Sequence, residues 1–369
     1  MMRGRGSAVP RCGGGDGNDA RQTRPRARSE DDSSTPPQLG HQILDAMHGF
    51  LTVKVMDGGF ASQLSRHVGE IDGHPLWSAR FLAENPEAVF RVHLEYLQAG
   101  ASIILTNSYQ ASIPGFMEHL GLSEESSEAL IELSATLARR AVDEYLATAA
   151  AGGALLARPL VAGSVGPYGA ALHNGSEYRG EYVDTVSEEE MAAWHEPRIR
   201  ALQRAGVDFL AIETLPALEE ARAVIRLLAE KFPNLKAWVS FSCKDDQHIS
   251  NGRLFHETAA ECWKLAAPGQ LLGVGVNCLP PRWVAPLLQS VHSRHPNIPL
   301  VTYPNSGETW EPVTGWSWQE KQVPLSDYVP DWIRNGARYI GGCCRTYEED
   351  TASMVKAVKR CRTKLARTS

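Results

Sequence analysis

The sequence has no apolar run long enough to span a membrane, no excess of positive charge and no paired cysteine framework. A membrane-spanning helix needs about 20 apolar residues, so no membrane association is expected. The net charge of −6 argues against a nucleic-acid-binding surface. Seven scattered cysteines fit a reducing compartment, where cysteine serves metal binding or catalysis rather than a disulfide framework.

Residues 1–40 contain no aromatic residue and are rich in Arg, Gly, Ser and Pro. Such a segment cannot bury enough apolar surface to fold. We therefore predict a disordered extension at residues 1–45, followed by a single domain at 46–369. We expect a cytoplasmic protein. The alternative is organelle targeting through the arginines of the extension, although acidic residues intrude and no amphipathic pattern appears.

Two familiar catalytic signatures are also absent. No His-Glu-x-x-His spacing occurs, and the glycines after the first strand-like run lack the Gly-x-Gly-x-x-Gly spacing of a dinucleotide-binding loop. A Schiff-base aldolase would have to use Lys54, Lys236 or Lys244, the lysines in or beside predicted strands. A lysine-based aldolase would leave the cysteines at the strand ends without a role.

Eight short aliphatic runs predict buried strands, and helical patterns fill the gaps between them. Strands that alternate with helices imply an α/β fold with a parallel sheet. Eight such units in about 320 residues predict a closed (β/α)₈ TIM barrel, with a doubly wound open sheet as the alternative. The predicted strands are 52–57, 101–107, 159–164, 207–213, 236–242, 271–278, 299–305 and 337–344. The predicted helices are 87–98, 123–147, 187–205, 218–231, 258–265, 283–292, 325–334 and 348–364.

Polar or sulfur-containing side chains stand at the ends of nearly all these strands. In a TIM barrel, catalytic groups gather where the strands end at the C-terminal face. A purely structural barrel has no reason to place two acids and three thiols at that face. The strand-end residues are Asp57, Asn107, Ser164, Glu213, Cys278, Asn305, Cys343 and Cys344.

Three of these residues predict a metal site. Cys278 ends the sixth strand, and a Gly-Gly-Cys-Cys-Arg string places Cys343 and Cys344 at the end of the eighth. Catalytic zinc takes three protein ligands and leaves the fourth position open, so we predict a zinc here with a substrate thiol in the open place. Taken alone, the cysteine pair could also be buried small hydrophobes or a strained disulfide. The glycines, which let backbone approach a ligand, and Arg345, which could pair with an acid, favour the metal.

The predicted site suits alkyl transfer to sulfur. A zinc held by three thiolates is a weak Lewis acid toward water, but it keeps a coordinating thiol deprotonated. A free thiol has a pKa of about 8.5 and is mostly protonated at neutral pH. The natural electrophile for such an electron-rich sulfur is a methyl group on a positively charged sulfur or nitrogen.

Other strand-end residues can bind the substrates. Asp57 and Glu213 can hold an amino-acid ammonium by charge-assisted hydrogen bonds, or else act as turn or helix-cap residues. Asn305 can fix a carboxylate or make an Asx turn. Aromatic residues near the strand ends can face a sulfonium through cation–π contact, although most are expected to be lid packing. They are Tyr109, Tyr168, Trp310, Trp316 and Trp318.

Seven motifs in this order resemble the homocysteine S-methyltransferase family, over roughly residues 50–362. The likeness is greatest to the plant and bacterial enzymes that use S-methylmethionine. The motifs are Met56-Asp57-Gly58-Gly59, Thr106-Asn107-Ser108-Tyr109-Gln110, Gly163-Ser164-Val165-Gly166-Pro167-Tyr168-Gly169, Ile212-Glu213-Thr214, Val276-Asn277-Cys278, Tyr303-Pro304-Asn305-Ser306-Gly307-Glu308 and Gly341-Gly342-Cys343-Cys344-Arg345.

The resemblance implies a zinc-dependent barrel that makes methionine from homocysteine, with S-methylmethionine or, less well, S-adenosylmethionine as donor. By motif position, the three cysteines would be the zinc ligands, and Asp57 and Glu213 would contact the amino group of homocysteine. Asn305 and Tyr109 would be pocket residues. Betaine-using relatives carry a long C-terminal arm that builds their oligomer, and its absence favours a sulfonium donor and a monomer. The alternative is a barrel whose thiols bind metal for storage or structure, or act as a redox dithiol.

Overall fold

A computed structural model of the protein describes residues 53–311, 315–317 and 323–366. The predicted disordered extension at 1–45 and the side chain of Trp318 lie outside these residues. Within them, no helix combines the length and the apolar character that crossing a bilayer requires.

The described residues contain a sheet of eight parallel strands and a two-stranded hairpin inserted before the last of the eight. Neighbouring strands hydrogen-bond in the order β1-β10-β7-β6-β5-β4-β3-β2, and β8 pairs only with β9 within the described part of the chain. The strands are β1 Lys54–Val55, β2 Ile103–Leu105, β3 Leu160–Val165, β4 Phe209–Leu215, β5 Ala237–Phe241, β6 Leu271–Asn277, β7 Leu300–Tyr303, β8 Thr309–Glu311, β9 Gly315–Ser317 and β10 Ala337–Ile340.

Backbone contacts between β1 and β2 close this sheet into a barrel. Met56 forms a parallel bridge with Ile103. The amide of Ser102 donates to the carbonyl oxygen of Val55 at 2.8 Å, and the amide of Asp57 donates to that of Ile103 at 3.1 Å. The predicted (β/α)₈ barrel is therefore confirmed, and all eight predicted strands are present, most with shorter bounds.

Helices separate the strands, as the alternating pattern predicts. Two predicted helices, 218–231 and 325–334, have the observed bounds, whereas Phe60–Val68, Phe81–Glu84 and Ile113–Leu120 were not predicted. All three are short, and a helix of one or two turns shows little apolar periodicity. The helices of the described residues are α1 Phe60–Val68, α2 Phe81–Glu84, α3 Pro86–Gln98, α4 Ile113–Leu120, α5 Glu124–Ala151, α6 Glu188–Arg204, α7 Leu218–Lys231, α8 Phe255–Leu265, α9 Pro281–His292, α10 Leu325–Arg334 and α11 Glu348–Ala366.

The start of α6 follows from local sequence chemistry. The side chain of Ser187 accepts from the amide of Glu190, and the Glu190 side chain accepts from the amide of Ser187. This capping box satisfies two amides that the first helical turn leaves without partners. The helix then continues through Pro197 to its end.

Two apolar layers hold the barrel together. The larger lies between the strands and the surrounding helices, and the smaller fills the barrel interior. Trp238 lies fully buried in the interior, with its ring 4.9 Å from Phe209 and 5.5 Å from Tyr339. Burying a side chain of this size stabilises a fold by about 3 kcal/mol. The interior residues are Met56, Ile103, Ala162, Phe209, Ala211, Trp238, Val301 and Tyr303.

One buried residue gives the fold a predictable acid sensitivity. His93 on α3 is fully buried against Phe60, with ring centroids 4.9 Å apart, and neither ring nitrogen has a hydrogen-bond partner in the described residues. Burial lowers the pKa of His93 to about 3. Because protonation favours the unfolded chain, the stabilisation is complete above the ordinary pKa of about 6.5 and falls as the pH drops toward the folded value.

We expect the wild-type protein to lose about 1 kcal/mol more unfolding free energy than the variant His93→Phe between about pH 7.5 and pH 5.5. Urea unfolding at the two pH values measures this difference. The matched control is His295→Phe at an exposed position, which should keep the wild-type pH dependence. Equal pH dependence in all three proteins would show that His93 does not cause the acid sensitivity.

Candidate metal centre and substrate site

The three predicted cysteines converge at the C-terminal face of the barrel. The Sγ atom of Cys278 lies 3.7 Å from that of Cys344, and the Sγ atoms of Cys343 and Cys344 lie 4.0 Å apart. All three sulfurs lie within 4.8 Å of one another. Tetrahedral zinc with Zn–S bonds of about 2.3 Å separates its sulfurs by about 3.8 Å. The cluster therefore has the spacing that a tetrahedral thiolate site requires.

The cluster forms because β7 lies between the two cysteine-bearing strands. The amide of Cys278 donates to the carbonyl oxygen of Tyr303 at 3.1 Å, and the amide of Cys343 donates to that of Pro304 at 2.7 Å. The amide of Ser306 donates to the carbonyl oxygen of Cys344 at 3.0 Å. The end of β7 therefore fixes the two chain segments in register.

Unusual backbone conformations also fix the direction of side chains at the cluster. Cys278 has φ of 54° and Arg345 has φ of 61°, in the left-handed region that few non-glycine residues adopt. Such strain persists where the surrounding structure imposes it, and it clusters at functional sites. Two positions beside the cluster have room only for glycine. A Cβ atom at Gly59 would lie 2.3 Å from the Cys343 carbonyl oxygen, and a Cβ atom at Gly342 would lie 2.2 Å from Thr346 Oγ1.

The thiols are poised to bind a cation. Hydrogen bonds with Cys343 and Cys344 hold the pKa of Cys278 well below its usual range. Those interactions with Cys278 raise the pKa values of Cys343 and Cys344. One thiolate therefore forms first, and a bound cation would stabilise the remaining two as thiolates.

The arginine that follows the cysteines makes the kind of ion pair its motif suggested. Arg345 Nε lies 3.0 Å from Glu308 Oε2, and the Glu308 side chain is nearly buried. Ser306 Oγ also donates to Glu308 Oε2 at 2.9 Å. These contacts hold the loop after β7 against the cysteine pair.

The two predicted carboxylates, Asp57 and Glu213, lie buried in the same barrel mouth. The amide of Leu105 donates to Asp57 Oδ2 at 2.7 Å. Burial holds the pKa of Asp57 well above its usual range, and the negative charge of Glu213 raises it further. The two acids are thus close enough to repel each other, and a cation between them would relieve that repulsion.

Glu213 is held by neutral donors. Ser164 Oγ donates to Glu213 Oε1, and the Tyr303 hydroxyl also bonds this carboxylate. Burial raises the pKa of Glu213 to about 7, against the lowering effect of these bonds, and the charge of Cys278 adds to the rise. Among the described residues, no cationic side chain offsets its burial, so the group is suited to bind a cationic ligand.

The other two predicted pocket residues differ in their surroundings. Asn305 is buried and its Oδ1 accepts from the amide of Gly307 at 3.0 Å, which is the Asx turn left open as an alternative. The hydroxyl of Tyr109 bonds Thr214. Burial raises the pKa of Tyr109, and the charges of Glu177 and Cys278 raise it further, so the phenol lies within electrostatic reach of the cluster.

Three residues of this site were not predicted. The Tyr178 hydroxyl lies 3.2 Å from Cys278 Sγ, and its neighbour Glu177 lies in the same 3₁₀ turn, Ser176–Tyr178. Trp77 contacts Tyr109 edge to face, with ring centroids 6.3 Å apart. All three stand in short 3₁₀ turns, which are too short for a periodicity that indicates which way a side chain points.

Other candidate residues lie away from the cluster. Tyr168 packs against Trp194 and Tyr182, so it belongs to the packing under the loop after β3. Cys243 and Cys262 belong to the outer apolar core. Trp310 and Trp316 are paired in the β8–β9 hairpin, but the predicted roles of their side chains fall outside what the structure describes.

The sequence model of the homocysteine S-methyltransferase family matches residues 54–358. The chain belongs to that family. It is therefore an enzyme of the homocysteine S-methyltransferase type, and the predicted family resemblance is confirmed.

Curated relatives and a solved structure extend the match. The chain is 46% identical over 313 residues to a betaine-homocysteine S-methyltransferase of Drosophila melanogaster, covering 83% of this chain and 94% of the relative. It is 43% identical over 305 residues to the homocysteine S-methyltransferase of Escherichia coli, covering 82% and 94%. The metallated crystal structure of the E. coli homocysteine methyltransferase MmuM superposes with a TM-score of 0.71 at 41% identity, covering 84% of this chain and 98% of that one.

The donor set of this homocysteine S-methyltransferase family member fits a thiophilic metal. Three thiol sulfurs with tetrahedral spacing suit zinc, whereas hard cations such as magnesium prefer oxygen ligands. Within the described residues no fourth His, Cys, Asp or Glu joins the cluster. The centre can therefore hold a metal and still admit a ligand.

Proposed function

We propose that the chain transfers a methyl group from S-methylmethionine to the thiol of L-homocysteine and forms methionine, with Cys278, Cys343 and Cys344 holding zinc. The observation that carries this proposal is the convergence of three sulfurs within 4.8 Å at a barrel mouth that also contains two buried carboxylates. Zinc bound there would keep the homocysteine thiol deprotonated near neutral pH. Both substrates are small molecules, and the proposed active unit is the monomer.

In this proposal the barrel mouth positions homocysteine at both ends. Asp57 and Glu213 accept hydrogen bonds from its ammonium. The positive charge relieves the repulsion between the two carboxylates and keeps them ionised, although burial raises the pKa of both. Asn305 uses Oδ1 in its Asx turn, so its Nδ2 is the atom that can donate to the substrate carboxylate. The amino acid is thereby held with its thiol toward the sulfur cluster.

The donor approaches from the loop side of the cluster. Tyr109 interacts electrostatically with Cys278, and its ring packs edge to face against Trp77. This aromatic pair suits a sulfonium through cation–π contact. The homocysteine sulfur attacks the donor methyl carbon in line, a new carbon–sulfur bond forms, and the old bond returns its electron pair to the donor sulfur. The leaving group is a neutral thioether, so it needs no general acid.

The length of the chain does not distinguish betaine from S-methylmethionine as the methyl donor. The Drosophila relative named for betaine is matched by this chain over 94% of its own length, so length does not separate it from the relatives with other names. S-methylmethionine is favoured instead by Glu177, whose Oε2 atom is buried without a hydrogen-bond partner in the described residues. A storage or structural zinc is closed by four protein ligands, and the three thiols of the described cluster do not meet that requirement.

A competition assay tests the proposal. Zinc-loaded protein is given homocysteine with equal concentrations of S-methylmethionine, S-adenosylmethionine and betaine, each carrying a distinguishable methyl label. We expect labelled methionine mainly from S-methylmethionine, less from S-adenosylmethionine and least from betaine. Preference for betaine would contradict the proposed donor, and no methionine from any donor would contradict methyl transfer itself.

A further inference from the structure

Glu177 presents a buried acceptor that the proposed chemistry has not used. Its Oε2 atom is buried and has no hydrogen-bond partner. Across the residues that the structure describes, it is the one buried carboxylate oxygen without a hydrogen-bond partner. A buried acceptor without a donor destabilises the fold, so such a group points to a ligand that supplies the donor.

The turn that carries Glu177 is fixed at the metal centre. Ser242 Oγ, at the end of β5, donates to the backbone carbonyl oxygen of Glu177 at 2.8 Å. On the other side, the Tyr178 hydroxyl lies 3.2 Å from Cys278 Sγ. Since both flanks of the turn are held, the backbone of Glu177 has a fixed place beside the cluster.

The local charges favour a cationic ligand. The Glu177 carboxylate interacts electrostatically with Tyr109 and with Cys278. The backbone amide of Glu177 bonds the carboxylate, and the charge of Arg179 also acts on it, but Arg179 forms its ion pair with Glu181, with Nε 2.6 Å from Oε1. Within the described structure, Glu177 therefore has no salt bridge of its own.

We propose that Glu177 binds the α-ammonium group of the methyl donor, and this inference rests on the proposed function. The donor class is then a sulfonium that is also an α-amino acid. The quaternary ammonium of betaine carries no N–H group, so it cannot donate to the buried oxygen. Glu177 thereby determines donor specificity, while Asp57 and Glu213 receive the ammonium of homocysteine.

The test compares Glu177→Gln with two donors, S-methylmethionine and the same dimethylsulfonium without its α-amino group. Losing a hydrogen bond between charged groups should lower kcat/KM for S-methylmethionine by about 10- to 100-fold. The donor without the amino group should be unaffected, and the KM for homocysteine should not change. Glu189→Gln, at an exposed position in the first turn of α6, is the matched control and should behave as wild type.

Three results would overturn the inference while leaving the proposed function intact: unchanged kcat/KM for S-methylmethionine, equal losses with both donors, or a raised KM for homocysteine. A wild-type protein inactive with both donors overturns the proposed function and the inference together. Metal content and thermal unfolding verify that the variant folds. If Glu177→Gln does not fold, Glu177→Asp replaces it; the shorter acid should impair only the donor with the amino group, and equal impairment overturns the inference.

Discussion

Replacing Cys278 or Cys343 by serine is expected to remove bound zinc and methyl transfer together. Serine keeps the size of the side chain but exchanges a thiolate ligand for a hydroxyl that stays protonated at neutral pH. Because changes to groups that merely orient a metal ligand cost about 10- to 100-fold, loss of a ligand should lower kcat/KM by more than about 100-fold. Metal analysis and a methionine-formation assay on the same samples measure both effects.

The matched control for these variants is Cys243→Ser. Cys243 also follows a barrel strand, but it packs against the outer core and is absent from the sulfur cluster of the described residues. It should retain wild-type zinc content. Full turnover by a Cys278→Ser or Cys343→Ser protein that contains no metal would exclude the proposed mechanism.

Glu213→Gln is expected to weaken the use of homocysteine by raising its KM. The amide keeps the shape of the side chain and its contact with Ser164, but it cannot carry the negative charge that pairs with the substrate ammonium. Loss of one partner from a buried charge pair costs about 2–4 kcal/mol, roughly a 30- to 1000-fold fall in kcat/KM. Steady-state kinetics with varied homocysteine at saturating donor measure this fall.

A substrate analogue separates charge recognition from a general disturbance of the pocket. Wild-type protein should strongly prefer homocysteine to 4-sulfanylbutanoate, which lacks the amino group. Glu213→Gln should lose most of that preference, because a neutral amide replaces the carboxylate that binds the ammonium. If the variant discriminated between the two thiols as well as the wild type does, Glu213 would not bind the ammonium.

The strands and the sulfur cluster could be predicted from local sequence features. Aliphatic runs of strand length alternate with helical patterns, and that alternation leaves few topologies other than a barrel. Cys278 and the Cys343–Cys344 pair each end such a run. In a parallel barrel all strand ends share one face, so convergence follows from topology without knowledge of any side-chain contact.

The direction of each side chain in the loops could not be predicted in this way. Tyr109 and Tyr168 both follow strand ends, yet Tyr109 bonds Thr214 and interacts electrostatically with Cys278, whereas Tyr168 packs against Trp194. The position of each tyrosine ring depends on contacts with residues far away in the sequence. Asn305 differs, because its Asx turn uses the amide of Gly307 only two positions along the chain and is one of the two roles that the sequence predicted.

The sequence by itself determined the barrel, its catalytic face and the set of thiols and acids at the strand ends, because these follow from hydrophobic periodicity and from the rules of parallel sheets. Only the tertiary structure placed Glu177 and Tyr178 beside Cys278. Their turn is held by a hydrogen bond from Ser242, 65 positions along the chain, and by the contact with the sulfur itself. Loop paths are set by such long-range contacts, which leave no periodic trace in the sequence.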